Sequence, residues 1–276
     1  MVNSINTNAS SLGGLQNLNR SQSSTLSTNN QIATGKKVNG PKDDAATFAI
    51  AQKLLGEVGG LGASGDSLDR ALSTASVAEA AGNQVSDLLL QLKEKAVAAR
   101  DPGLDDASRQ ALNNEFASLR DQIGQVVKSA SFNGTNAVEG GGGDIAAITN
   151  QDGSETFTIA NQDLSLGGGK VTLAADASIG TAADAANAVA AIEQSLGNVS
   201  ASLSTIGSGA RRLEQTREFN QALSDTTEIG IGNLVDANLG KTSAQQAANG
   251  VREQLGIVAL NIANRQPSSI LSLFQK

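Results

Sequence analysis

Residues 61–99 read LGASGDSLDRALSTASVAEAAGNQVSDLLLQLKEKAVAA. Every seventh position gives Leu61, Leu68, Ala75, Gly82, Leu89 and Ala96. Three residues further on come Ser64, Ala71, Ala78, Val85, Leu92 and Ala99, so eleven of these twelve positions are apolar or Gly. Spacings of 3 and 4 sustained over this length put one stripe on one helical face and predict coiled-coil-like packing. The helix starts near Asp43, where Pro41, Asp43 and Asp44 suit a helix N-terminus, and Asp101-Pro102-Gly103 ends it. At about 1.5 Å per residue it would run roughly 80 Å, longer than a globular core requires.

Working outward, two more blocks carry the same period. About Asp105 to Ala130 the apolar positions are Leu112, Phe116, Leu119, Ile123 and Val126. About Ala182 to Thr227 they are Val189, Leu196, Leu203 and Ala210 with Ile192, Val199, Ile206 and Leu213. Three long helices of matching period predict a bundle, antiparallel where connections are short. Residues 134–181 break the pattern with Gly140–Gly143 and Gly167–Gly169. There Thr156-Phe157-Thr158-Ile159 and Lys170-Val171-Thr172-Leu173 alternate as two short strands of a small hairpin.

The two ends of the chain mirror each other. The first 33 residues carry one charge, Arg20, and the stretch from Gln254 to Gln275 carries one, Arg265. Both are rich in Asn, Gln, Ser and small residues, and both hold a narrow stripe at heptad spacing. The first is Ile5, Leu12, Asn19, Leu26, Ala33, with Leu15 and Leu18 beside it. The second is Ala244, Ala248, Val251, Leu255, Val258, Ile262. Neither helix buries its stripe alone, and the expectation is that the two ends bury their stripes against each other. The fold class is therefore mainly α: a long antiparallel helical bundle or coiled coil built from both chain termini, with a small β-hairpin element in the middle.

Composition narrows the chemistry. The 276 residues include no His, Cys, Trp or Tyr, and six Phe are the only aromatics. That removes imidazole acid–base work, thiolate chemistry, the Ser-His-Asp arrangement and the usual zinc, copper and iron ligand sets. An acidic chain (net charge −7, pI ≈ 4.7) with so few aromatics is a poor nucleic-acid binder. It has no apolar run long enough for a membrane span, and MVNSINTNASSLGGLQNLNR lacks the charged and apolar regions of a signal peptide.

Short motifs add no chemistry. Gly60-Leu61-Gly62-Ala63-Ser64-Gly65 matches G-x-G-x-x-G letter for letter, but it lies in a heptad-patterned helix with no strand before it. Small residues permitting close helix contact or a kink explain it better. Gly35-Lys36 lacks the upstream Gly of a phosphate loop, and the sequons at Asn8, Asn19, Asn133 and Asn198 are three-letter coincidences. Asp101, Asp105 and Asp106 read as a turn and helix start. Arg211, Arg212 and Arg217 with Glu214 and Glu218 read as pairs three and four apart on one helix face. The expectation is no catalytic residue, no cofactor and no metal site.

Several segments together carry a resemblance. Ile5-Asn6-Thr7-Asn8, Asn17-Leu18-Asn19-Arg20-Ser21-Gln22, Ile32-Ala33-Thr34-Gly35, Lys42-Asp43-Asp44-Ala45-Ala46 and Phe132-Asn133-Gly134 lie on the N-terminal side. Ala263-Asn264, Pro267 and Ile270-Leu271-Ser272-Leu273-Phe274 lie on the C-terminal side. In this order, over about four-fifths of the chain, they resemble the bacterial flagellins. The resemblance implies a non-enzymatic subunit of the hollow helical flagellar filament, secreted through the flagellum's own type III export apparatus and extracellular once assembled. It implies three parts: a terminal coiled coil lining the lumen, D0 (1–41 and 236–276); a helical rod, D1 (42–133 and 182–235); and a short variable β-hairpin insert (134–181). Its implied partners are neighbouring copies in a homopolymer, paralogous flagellins, the filament cap, hook-associated junction proteins and an export chaperone, with no nucleic acid and no membrane insertion. The assembly residues it points to are Ile5, Leu12, Leu15, Leu26, Val251, Leu255, Val258, Ile262, Leu271, Leu273 and Phe274. The alternative within this architecture is a hook–filament junction protein, which shares the terminal helices. One departure stands out. Where many flagellins carry an Arg and a Leu read by the animal flagellin receptor, this chain has Gln91 and Lys95, which implies weak receptor activation.

Overall fold

The computed structural model describes residues 7–271, with side chains as far as residue 265. Five helices and one small sheet follow in chain order: α1 (Ala9–Thr34), α2 (Ala45–Ala99), α3 (Asp106–Ser129), β1 (Ile145–Ile148), β2 (Thr156–Ile159), α4 (Ala182–Val235) and α5 (Leu239–Leu271). The chain divides into two compact units, residues 1–56 with 226–276, and residues 57–225.

In the terminal unit α1 and α5 pair antiparallel, as the cross-links from Asn8–Ala263 at one end to Asn29–Gln246 at the other require. Asn8 caps α1 by accepting from the Ser11 N–H. Gly35, in the left-handed region at φ 70°, ends the helix where a side chain would be strained. Beyond it the chain is stitched to the end of α4: the Lys37 and Val38 amides donate to the Val235 carbonyl, and the Ala237 amide donates to Gly35. The two aspartates near the start of α2 divide their work. Asp44 accepts from the Ala46 and Thr47 amides and caps the helix. Asp43 turns back to the Asn39 and Gly40 amides.

The second unit holds the core. All twelve α2 seam positions are buried, with Leu68, Val85, Leu89, Leu92, Ala96 and Ala99 fully so. Phe116, Ile123 and Val127 of α3 and Ile192, Val199, Ile206 and Leu213 of α4 pack into the same core. Asp105 caps α3 through the Ser108 amide. The α2–α3 turn is closed by Arg109, a buried cation whose guanidinium donates to the carbonyls of Ala99, Asp101 and Leu104. It thereby satisfies backbone acceptors left over where α2 ends.

The hairpin differs from expectation. Thr156–Ile159 is a strand, but its partner is Ile145–Ile148, with Ile145 opposite Ile159 and Ile148 opposite Thr156. Lys170–Leu173 does not join the sheet. The Thr172 amide donates to Ser195 Oγ on α4, while Val171 and Leu173 are buried in the core. The backbone groups of this segment are thus shared between α4, through Ser195 and Asn198, and the neighbouring Leu166-Gly167 turn. The charged run on α4 also departs from a purely intrahelical pattern. Arg217 reaches Asp69 on α2 at 2.5 Å, and Arg212 lies 4.3 Å from the Phe157 ring centroid.

The G-x-G-x-x-G run seats the hairpin. A Cβ on Gly60 would stand 2.0 Å from the Gln151 carbonyl oxygen, so only glycine fits there. Ser64 Oγ donates to the Ile148 carbonyl, Ser67 Oγ accepts from the Ile148 amide, and buried Asn220 donates to Ser64 and to the Thr149 carbonyl. These bonds satisfy polar groups that the contact would otherwise strand. On α4, a Cβ on Gly209 would stand 2.5 Å from Ile159.

Candidate assembly surface

The α1–α5 pairing is made by a different face from the expected one. On α1 the inward positions are Ser11, Gly14, Leu18, Ser21, Thr25, Thr28 and Ile32. On α5 they include Thr242, Asn249, Gly256, Leu260 and Ala263. A Cβ on Gly14 would lie 3.3 Å from Leu260 Cδ1, and one on Gly256 would lie 3.4 Å from Leu18 Cδ1. The backbones therefore approach closely where side chains are absent. Polar residues bond across the seam: Ser11 Oγ to Asn264 Oδ1 at 2.6 Å, and Asn249 Nδ2 to Ser24 Oγ at 3.0 Å and Thr28 Oγ1 at 3.3 Å.

The seam is thus shifted by about one residue from the leucine stripe, and the expected burial of the two stripes against each other does not occur. Leu12, Leu15 and Leu26 on α1 are 55%, 45% and 65% exposed; Val251, Leu255, Val258 and Ile262 on α5 are 57%, 62%, 54% and 64% exposed. The physical reason is that Gly, Ser and Thr let two helices close and bond without displacing bulk, so the leucines are left on adjacent faces. Ile5, Leu273 and Phe274 lie outside the described residues, as does the side chain of Leu271, the last residue of α5. Two clustered apolar stripes this exposed are characteristic of a surface awaiting a partner. The inward Ser, Gly, Thr and Asn positions were the part sequence reasoning missed. Their own heptad spacing (11, 18, 25, 32 and 249, 256, 263) was the available signal.

On the second unit, Gln91 is exposed and Lys95 is half-buried. Lys95 Nζ meets Glu115 on α3 at 2.7 Å, and this bond is the main cause holding its pKa above the ordinary lysine value. Two residues away Lys93 pairs with Glu193 on α4 at 2.9 Å, which lowers the Glu193 carboxyl. Among the described residues no group of three His, Cys, Asp or Glu side chains could hold a metal ion. No described helix is long and apolar enough to cross a membrane.

With terminal helices paired from both ends and a helical unit between them, comparison with known proteins decides the family. Residues 5–141 match the bacterial flagellin N-terminal helical region, and residues 189–274 match the bacterial flagellin C-terminal helical region. The chain belongs to the bacterial flagellins. It is 41% identical over 274 residues to flagellin FljM of Caulobacter vibrioides, covering 99% of each chain. It is 29% identical over 287 residues to a flagellin of Brucella melitensis, again covering 99% of each. A solved structure assigned as a flagellar hook-associated protein, from Vibrio parahaemolyticus, superposes with a TM-score of 0.59 at 17% identity, over 70% of this chain and all of that one. At that identity the likeness concerns fold alone. The full-length identity to flagellins favours a filament subunit over the hook–filament junction alternative. As a flagellin the chain is a structural protein and not an enzyme.

Proposed function

We propose that this flagellin polymerises through the outward stripes of its terminal helices, Leu12, Leu15 and Leu26 with Val251, Leu255, Val258 and Ile262, and through Ile5, Leu271, Leu273 and Phe274 at the chain ends. The observation that carries this reading is the exposure of seven large apolar side chains, 45–65% each, on two paired helices. Covering one such side chain is worth about 1.5–3 kcal/mol. The α1–α5 seam itself buries few large apolar groups, so neighbours supply much of what offsets the ordering of these helices. Folding of the ends is then coupled to assembly, which restrains polymerisation before export. Contacts between unlike surfaces on identical copies give an open helical filament when the rotation from copy to copy does not close a ring.

In this reading residues 1–41 and 236–276 form the D0 coiled coil facing the lumen, 42–133 and 182–235 form the D1 rod, and 134–181 are the hairpin insert. The product is a secreted, extracellular filament. Its further partners are paralogous flagellins, the filament cap, hook-associated junction proteins and an export chaperone. Seeded elongation followed by electron microscopy tests it. The chain carrying Leu26→Gln and Leu255→Gln should fail to lengthen seeds while keeping its monomer helix content. Elongation at the wild-type rate would reject these stripes as the assembly surface.

We also propose weak activation of the animal flagellin receptor, because Lys95 is held by Glu115 and presents a cation where an apolar contact is needed. A cell reporter assay should give little signal at low dose. Strong signalling at that dose would refute this.

A further inference from the structure

The two units differ in the sign of their charge. Residues 1–56 with 226–276 hold nine Lys/Arg against five Asp/Glu, a net of +4. Residues 57–225 hold eleven against twenty-two, a net of −11. Two of the terminal cations, Arg20 on α1 and Arg252 on α5, line one groove of about 340 Å³ on the α1–α5 pair, together with Ser21, Ser24 and Asn249. Arg252 Nη1 lies 3.4 Å from Asn249 Oδ1, a weak bond. The Asn249 amide is already committed to Ser24 and Thr28. Among the described residues neither guanidinium meets a carboxylate, although each is a fork of donors shaped for one.

We infer that this groove receives a carboxylate of a neighbouring copy, and that the carboxylate belongs to Glu228 or Asp236 of that copy's terminal unit. The inference rests on the filament reading and goes beyond it by naming a polar contact in a surface otherwise made of apolar stripes. Copies that gather through units of net +4 repel one another unless the cations find counter-charges. The unit's own acids are few, and three are engaged within the chain. Asp43 holds the Asn39 and Gly40 amides, Asp44 caps α2, and Glu253 accepts from Gln22. Glu228 and Asp236 are exposed, and no described donor reaches their carboxylates. Contacts of this kind fix register, which apolar stripes at heptad spacing leave degenerate.

The test is seeded elongation of the full-length chain, read by light scattering and electron microscopy, with helix content of each monomer checked by circular dichroism. The variants are R20E/R252E, E228K/D236K and the four changes combined. Each double variant should raise the critical concentration for elongation at least about tenfold, and the combined variant should recover most of that loss. Should R20E/R252E lose helix content, R20Q/R252Q replaces it, with the same loss expected. Double variants that elongate like wild type overturn the inference. So does a combined variant no better than the doubles, or a wild-type response to added sulfate that E228K/D236K leaves unchanged, since a free anion would then fill the groove. In each of these cases elongating wild type leaves the filament reading standing. Wild type that never elongates overturns that reading and this contact with it.

Discussion

The seam of the α1–α5 pair and the seam of the second unit use the same heptad spacing for opposite ends. In the second unit the stripe is Leu68, Val85, Leu89 and Leu92, fully buried and packed on α3 and α4. In the terminal unit the pairing face is mostly small and polar, with Ser11, Gly14, Ser21, Thr28, Asn249 and Gly256 around Leu18 and Leu260, while Leu12, Leu15, Leu26 and Leu255 stand in solvent. One region spends its apolar surface inside the subunit. The other withholds its apolar surface for something outside. Periodicity reveals that a face will be buried, but the subunit boundary decides by what.

The largest expected effect on this comparison comes from removing one side of it. Deleting residues 1–33 should leave residues 57–225 folded and abolish elongation. Electron micrographs showing normal filaments from the truncated chain would break the distinction. Next is a pair of leucine truncations. Leu92→Ala empties a fully buried position and should cost about 2–5 kcal/mol in denaturant unfolding. Leu255→Ala, 62% exposed, should change monomer stability by no more than about 0.5 kcal/mol yet weaken elongation. Equal losses in the two unfolding curves would contradict the contrast.

The glycines of α2 give a finer version. Gly60→Ala forces a methyl into the Gln151 carbonyl and should cost about 1–3 kcal/mol. Gly62→Ala faces open space in the same helix and should gain about 0.5–1 kcal/mol. A stabilised Gly60→Ala variant would show that the hairpin is not seated there.

The smallest effect concerns acid. The Asp105 carboxyl is held below its ordinary value chiefly by the Ser108 amide, as Asp44 is by Thr47. A lowered folded-state pKa contributes stability above the unfolded value near 3.8, lost as pH falls through the folded value. Asp105→Ala should therefore lower the melting temperature at neutral pH, and the gap to wild type should narrow as the pH falls below 3.8. A gap that stays constant across that range would show that the cap does not depend on charge.

The bundle was legible because Leu, Ala and Val at heptad spacing specify helix and buried face together, and because Asp44, Gly35, Pro102 and Asp105 punctuate it. The strand pairing was not. Ile145–Ile148 carries two alanines and Lys170–Leu173 looks more strand-like, so local preference favoured the wrong partner for Thr156–Ile159. What decided it was tertiary: Ser64, Ser67 and Asn220 offer donors and acceptors to residues 148 and 149, and Ser195 captures Thr172. The terminal leucines were found, but their direction depended on which of two adjacent heptad faces the helices chose. Close packing at Gly14 and Gly256 made that choice.

Arg109 has one more consequence. The turn between α2 and α3 is locked by a guanidinium donating to three backbone carbonyls, with no imidazole or thiol in the lock. The chain has no histidine and no cysteine, so no side chain with an ordinary pKa changes charge between about pH 5.5 and 8.5. Contacts between copies that rest on these side-chain charges therefore carry no built-in pH switch across that window.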